Sequence, residues 1–330
     1  MALLPVKSSR LNRRVILRIV EGTGATAVLK KTVYGFDDSG SPYGLRVSFS
    51  VERKIASVAD SAVVRIWNLN EESRSMIAQR SLYYDRRDPL RYLQIGAGHR
   101  GTSAITDTTS VIFNGAIVIA FNERQGPDWV TEIQASAVHG QALLNQINKP
   151  WRTTPLANII RELFGVAGWA NVNISPQAAI VIASKVETSL AVSGSAYQAA
   201  TTVLKNHGLT FNVDHDGVTV FVSGYPRDPL PLPVNEDTGL IGTPKVTALG
   251  ADFKTLLDPR IRPGQLVTLK SETLGSSIAA NLGSEYVIWG AKALGDTHTD
   301  DWSSEAEGRI TPPPSDAASS VAGPVPIGVV

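Results

Sequence analysis

The sequence predicts a mainly β chain with an α+β insertion, and three observations carry that expectation. A strand-turn-strand unit occurs twice: Val111–Phe121 followed by Asp128–Ala135, and Tyr286–Leu294 followed by Asp301–Gly308. Each copy has an apolar strand with a Gly-Ala step, a polar connection, and Asp-Trp-x-x-Glu opening the second strand. Period-two alternation dominates both ends of the chain. Helical periodicity is confined to the middle. A repeated hairpin suggests two related β-domains. On the letters alone, coincidence between two hairpins accounts for it equally well, so the surroundings decide.

The first region reads as β. Leu45, Val47, Phe49 and Val51 alternate with polar neighbours, the period of a half-buried strand. Ala62–Trp67 is β-branched and aromatic. Asn70 is placed to cap a short helix over Glu71–Arg80, with acids in its first turn. Leu90–Ile95 is a further strand, and the first hairpin copy follows. Its second strand sets Trp129, Thr131, Ile133 and Ala135 against Glu132 and Gln134.

In the middle, Leu156, Ile159, Ile160, Leu163 and Phe164 fall on one helical face. Thr154 is the expected cap, Pro155 the first helical position and Gly165 the stop. A second helix opens at Ser195, with Gln198 completing a capping box, and stops at Gly208. A hairpin follows, Leu209–Val213 and Val218–Val222, joined through Asp214-His215-Asp216-Gly217. Gly224–Pro233 is too proline-rich for a central strand and reads as a linker. The last third is β again, from around Pro244 to Leu257, then Gln265–Lys270, then the second hairpin copy. The expected division is 1–140 first β-domain, 141–234 α+β module and linker, 235–310 second β-domain, and 311–330 an extended Pro/Ala/Ser-rich tail.

Composition narrows function. A formal net charge of +1 over 330 residues argues against a chain-wide commitment to nucleic acid or anionic lipid. The absence of cysteine excludes disulfides, thiolate nucleophiles and Cys-ligated zinc. No apolar run reaches a membrane span, and Met1–Lys7 lacks the apolar region of a signal peptide. Folding in the cytoplasm and no membrane insertion are therefore expected.

Catalytic constellations are missing from the sequence pattern. There is no nucleophile elbow, P-loop or dinucleotide fingerprint, and no pair of histidines at helical metal spacing. Asp214-His215-Asp216 is read as a turn, because Asx residues bond their own backbone there. Asp296, His298 and Asp301 form the one cluster that is a weak metal candidate. They occupy the polar turn of the second hairpin, and a loop is the stronger reading. Trp129 and Trp302 fit either sugar-stacking platforms or packing residues of their β-domains. Packing is preferred, with Asp128, Trp129, Glu132, Asp301, Trp302 and Glu305 as the framework of a structural repeat. No cofactor is expected.

With these residues in order, the chain resembles the baseplate hub proteins of tailed bacteriophages. The resemblance is carried by Arg46–Arg53, by Asp60–Arg74 with its Asn68-Leu69 step running into a helix, and by Phe113-Asn-Gly115 with Asn122–Trp129. Thr238–Pro244, Leu256–Lys270, Tyr286–Ile288 and Gly295–Trp302 continue it. The likeness runs from about Leu45 to Gly308, and rests on order and spacing rather than on one diagnostic motif.

The resemblance implies two tail-tube-like β-barrels per chain and a homotrimer. Three chains would then present a six-barrel ring, matching a hexameric tail tube or distal tail protein above and a trimeric spike or tip protein below. The ring would enclose the channel through which DNA passes without sequence-specific binding, its lining avoiding dense positive charge. The α+β module would face other baseplate proteins, and the location would be the virion tail, after assembly in the host cytoplasm. The role requires no catalytic residue, and no fused lytic segment is read. Hub parts of contractile injection systems are related, so phage and injection machine stay open. Two readings compete: a tail-associated cell-wall hydrolase or peptidase using the Asp296 cluster, and a glycan-binding adhesin using the tryptophans.

Overall fold

A computed structural model describes residues 13–22, 27–35, 44–55, 60–78, 91–99, 109–137, 145–169, 171–214, 217–271 and 285–310. The first region contains β1 (Arg13–Glu21), β2 (Val28–Tyr34), β3 (Val47–Lys54), β4 (Ser61–Trp67), α1 (Glu71–Ala78), β5 (Arg91–His99), β6 (Ser110–Gln125) and β7 (Asp128–Ser136). The middle holds β8 (Gln146–Trp151), β9 (Thr154–Pro155), α2 (Leu156–Ala167), β10 (Val172–Ile174), α3 (Pro176–Ala183), β11 (Val186–Glu187), β12 (Leu190–Ser195), α4 (Ala196–Asn206), β13 (Leu209–Asp214) and β14 (Gly217–Val222). The last region holds β15 (Asp228–Val234), β16 (Leu240–Thr247), β17 (Gly250–Leu256), β18 (Gln265–Leu269), β19 (Glu285–Asp296) and β20 (Trp302–Ile310).

The two β regions form one sheet with an internal repeat. The first contributes strands in the order β3-β4-β7-β6-β5-β1, and the last contributes β16-β17-β20-β19-β18-β15. Each strand of one set therefore has a counterpart in the other, with β2 added beside β1. The sets differ at one margin, where β1 runs antiparallel to β5 but β15 runs parallel to β18. They are joined because β3 also pairs with β19. Among the described residues the strand path stays open, ending at β16 and at β2.

Alternation explains the strands. In β3 the buried residues are Val47, Phe49, Val51 and Arg53, each separated by a more exposed one. These apolar positions join Leu17, Ile19, Ile66, Leu93, Ile95 and Ile133 in the first core, which also takes in Ala293 and Trp302. A second core fills the middle region, where Phe164 stacks edge-on against Phe211 with ring centroids 5.0 Å apart. A third, smaller core surrounds Phe253, Val267, Tyr286 and Ile288.

Several local expectations are met and others corrected. Asn70 caps α1, its side-chain oxygen accepting from Ser73 N–H at 3.1 Å. The helix is described to Ala78, so the expected end at Arg80 lies outside the described residues. Gly165 does not stop α2. The helix runs on to Ala167 because Ala167 still has a place in the core, and Gly168 ends it with φ of 99°. Thr154 does not cap that helix, since its hydroxyl donates to Arg152 O and its backbone belongs to β9. Ser195 opens α4 without a side-chain cap bond. A helix absent from the sequence expectation, α3, is capped by Ser175, which accepts from Ala178 N–H at 3.3 Å.

The expected linker over Gly224–Pro233 is corrected more fundamentally. Asp228–Val234 is the strand β15, paired on one side with β18. Proline costs a ladder bond only where its missing N–H would face a partner. Here Val234 O accepts from Lys270 N–H, so Val234 faces the β18 side and Pro233 beside it faces away, while Pro229 and Pro231 lie between Asp228 and Leu232, where the register with β18 is interrupted. The tail at 311–330, His139 and His215 lie outside the described residues.

Candidate functional site

Among the described residues no catalytic groups converge in the hollow over the last region, and the candidate site is a face. Because β3 pairs with β19, its polar positions lie on one surface with those of the last region. Ser48, Ser50, Glu52 and Lys54 stand opposite Asp296, Leu294, Lys292 and Gly290. The same register carries across β20 and β17, where Lys292 faces Glu305 and Glu305 faces Lys254. On the other side of β3, Ser48 faces Arg65 and Arg65 faces Glu132. The surface is concave over the last region, an open hollow of about 1030 Å³ lined by β3, β16, β17, β19 and β20.

Its charge is mixed and internally paired. Lys292 Nζ lies 2.8 Å from Glu52, Lys254 Nζ 3.2 Å from Glu305, Arg65 Nε 2.8 Å from Glu132 and Arg309 3.1 Å from Glu307. The Lys292 ammonium, through its hydrogen bond and its charge, holds the Glu52 carboxyl below its usual value. Burial pushes Glu132 up, but the Gln134 amide and Arg65 outweigh it, so its net displacement is downward. Lys54 and Lys245 also line the hollow without a salt bridge among the described residues, but with four cations paired to carboxylates the face presents no dense positive field.

Asp296, His298 and Asp301 are brought together as a turn. One Asp296 carboxylate oxygen accepts from His298 N–H at 2.7 Å and from Thr299 N–H at 3.3 Å. The other meets Arg46 at 2.9 Å. Asp301 joins through its backbone, accepting from Asp296 N–H at 2.7 Å. Among the described residues no three His, Asp or Glu side chains converge as metal ligands.

What the turn holds is the other β region. Thr297 exchanges bonds with Val47, N–H to carbonyl at 3.0 Å and amide to hydroxyl at 3.1 Å. Buried Arg13 donates to the carbonyls of Asp296 and Thr299. Burial opposes ionisation of Asp296, but the Arg46 bond and the two amide bonds hold its carboxyl below the usual value.

The repeat residues separate on inspection. Trp302 is buried in the first core, edge-on to Phe49 with centroids 5.7 Å apart. Trp129 is half-buried under Arg74, whose guanidinium lies 4.3 Å from the ring centre. Asp128 accepts from Asn68 at 2.9 Å. Glu132 and Glu305 occupy matching ladder positions, opposite Phe121 and Lys292 respectively. The Gly-Ala steps do not match: Ala116 faces Ser136, whereas Ala291 faces Ala306.

Sequence reasoning passed over a buried charge cluster. Arg53 lies in β3 and Asp60 just ahead of β4, Asp214 comes from the module, and Arg227 and Arg262 from the last region. Arg227 meets Asp214 at 2.7 Å and Arg53 donates to Ile261 O at 2.7 Å. Burial pushes the Asp60 carboxyl up to about 7 against the pull of Arg53. These residues look like ordinary turn charges in sequence, and only the fold brings them into one place.

Comparison with known proteins gives one family match. The family model described as "Baseplate hub gp41" matches residues 33–291. A search of curated proteins finds none that matches. Among solved structures, the 43 kDa tail protein of prophage MuSo2 from Shewanella oneidensis aligns with TM-score 0.56 at 7% identity, covering 91% of this chain and 97% of that one. The tail protein from Neisseria meningitidis MC58 aligns with TM-score 0.55 at 9% identity, covering 90% and 96%. The Francisella PdpA-VgrG complex aligns with TM-score 0.53 at 9% identity, covering 91% of this chain and 58% of that one. At these identities the likeness is one of fold.

Proposed function

The chain belongs to the baseplate hub gp41 family, and on that premise we propose that it acts as the structural hub of a tail, three copies forming a ring. Each copy would supply two tube-like barrels, one per β region, over domains bounded near 140, 234 and 310. Three chains with two barrels each would meet a six-fold tube on one side and a three-fold spike on the other. The carrying observation is the internal repeat: matching strand orders, joined by β3 and β19 into one sheet.

In this reading the ion-paired polar face lines the channel. DNA phosphates bind wherever unpaired Lys and Arg accumulate. A lining in which Lys292, Arg65, Lys254 and Arg309 are held by Glu52, Glu132, Glu305 and Glu307 offers phosphates little free positive charge and lets the genome slide past. The module, with its own core, stands outside and is available to other baseplate parts. Packing and pairing carry the role, with no catalytic residue assigned.

The test is the mass of the purified full chain in solution, alone and with its tube and spike partners. A trimer is the expected result. A monomer that persists with both partners present overturns the ring.

A further inference from the structure

Resting on the ring reading, we propose how neighbouring copies join: β16 of one copy extends the sheet along the outer half of β6 in the next. The contact reproduces between chains the seam that β3 and β19 make within one.

Among the described strands the repeat leaves one acceptor filled and one empty. In the last region β18 accompanies β19 only from Glu285 to Val287, and β3 takes the vacated side from Gly290 to Asp296. In the first region β5 accompanies β6 only as far as Ala116. From there to Gln125, β6 pairs with β7 alone among the described strands. The donors are equally unbalanced. β3 is engaged on both sides, while its counterpart β16 pairs, among the described strands, with β17 alone and ends the strand path. An unpaired edge facing an unpaired edge is the arrangement that strand addition satisfies.

The two edges also match in chemistry. The outer half of β6 exposes Val118 (53%), Ile119 (44%) and Phe121, large apolar groups that a lone surface strand has no reason to display. β16 and the turn after it expose Ile241, Val246 and Leu249 (63%). Register follows from the repeat. Aligning Glu132 with Glu305 and Arg65 with Lys254 places Thr247 where Glu52 stands and Lys245 where Ser50 stands. It likewise places Phe121 where Lys292 stands and Glu123 where Leu294 stands. The intrachain pairs Glu52–Lys292 and Ser50–Leu294 thus become Thr247–Phe121 and Lys245–Glu123 between chains. The second is an opposite-charge pair, and neither residue has an ion-pair partner among the described residues.

A donor edge on one side and an acceptor on the other make a head-to-tail contact, which closes into a ring when the rotation allows. If the intrachain seam sets the angle for one barrel-to-barrel step, the interchain seam repeats it.

The chain has no cysteine, so disulfide trapping has no background. Two double variants of the full chain, Glu123→Cys with Lys245→Cys and Asn122→Cys with Val246→Cys, cover both kinds of antiparallel ladder pair. Mild oxidation is expected to give covalent species of two and three chains in at least one of them. The off-register pair Ser110→Cys with Lys245→Cys should give none. Independently, Lys245→Glu should weaken association about fivefold per contact, and adding Glu123→Lys should restore it. A trimer by mass with no trapping in either double variant and no effect of charge reversal overturns this pairing while leaving the ring intact. A monomer with all partners present overturns both.

Discussion

Single residues fix how closely the two β regions approach. Gly295 is the clearest case. A β-carbon there would fall 2.4 Å from the Phe49 ring and 3.0 Å from Trp302, deep in the shared core. Gly295→Ala should therefore cost about 1–3 kcal/mol through overpacking, measured as a lowered midpoint in denaturant with an unchanged slope. An unaltered midpoint would mean that Phe49 has room to move. In sequence, Gly295 reads only as part of a polar turn, because the ring that crowds it lies far away in the chain. Asp296, next to it, was legible as a polar residue of interest, but its partner Arg46 was not.

At the scale of elements, the two hairpins carry the same opening letters with different duties. Trp302 closes a core, whereas Trp129 lies half-covered beneath Arg74. Trp302→Ala should cost about 3–5 kcal/mol. Trp129→Ala should cost roughly half as much, since less of its surface leaves water on folding. Parallel denaturation curves decide the matter, and equal losses would contradict the difference in burial. The strands were the most legible elements, because alternation in β3, β4 and β7 states which face is buried. Helix ends were less so: Gly165 looks like a stop by residue type, yet the core beyond it rewards one more turn. β15 was misread because proline's cost depends on which side of a strand has a partner, and that side is a tertiary fact. Pairing between β3 and β19 has no local signature at all.

For the whole molecule, the charge cluster around Asp60 ties the first β region to the module and to the last region. Burial pushes the Asp60 carboxyl from an ordinary value of 3.8 up to about 7. Between those values the folded chain holds a proton that the unfolded chain has released. Stability from this group is therefore full below about pH 4 and is lost as pH rises toward about 7. Asp60→Asn should abolish that slope. The difference in unfolding free energy between variant and wild type should change by a few kcal/mol across the window, as read by denaturation at a series of pH values. A constant difference would show that Arg53 keeps the carboxylate charged.

The prolines of β15 have an effect on how large an assembly can grow. Pro233 falls on the side of the strand turned away from β18, and Pro229 and Pro231 sit where the ladder with β18 is broken, so three of the seven residues of that margin have no N–H to give an incoming strand. A foreign or misplaced strand finds only half a ladder there. Strand addition is thereby discouraged at one boundary of the last region while the β16 boundary keeps its donors. The residues that disguised β15 as a linker thus make it a poor template for further strands.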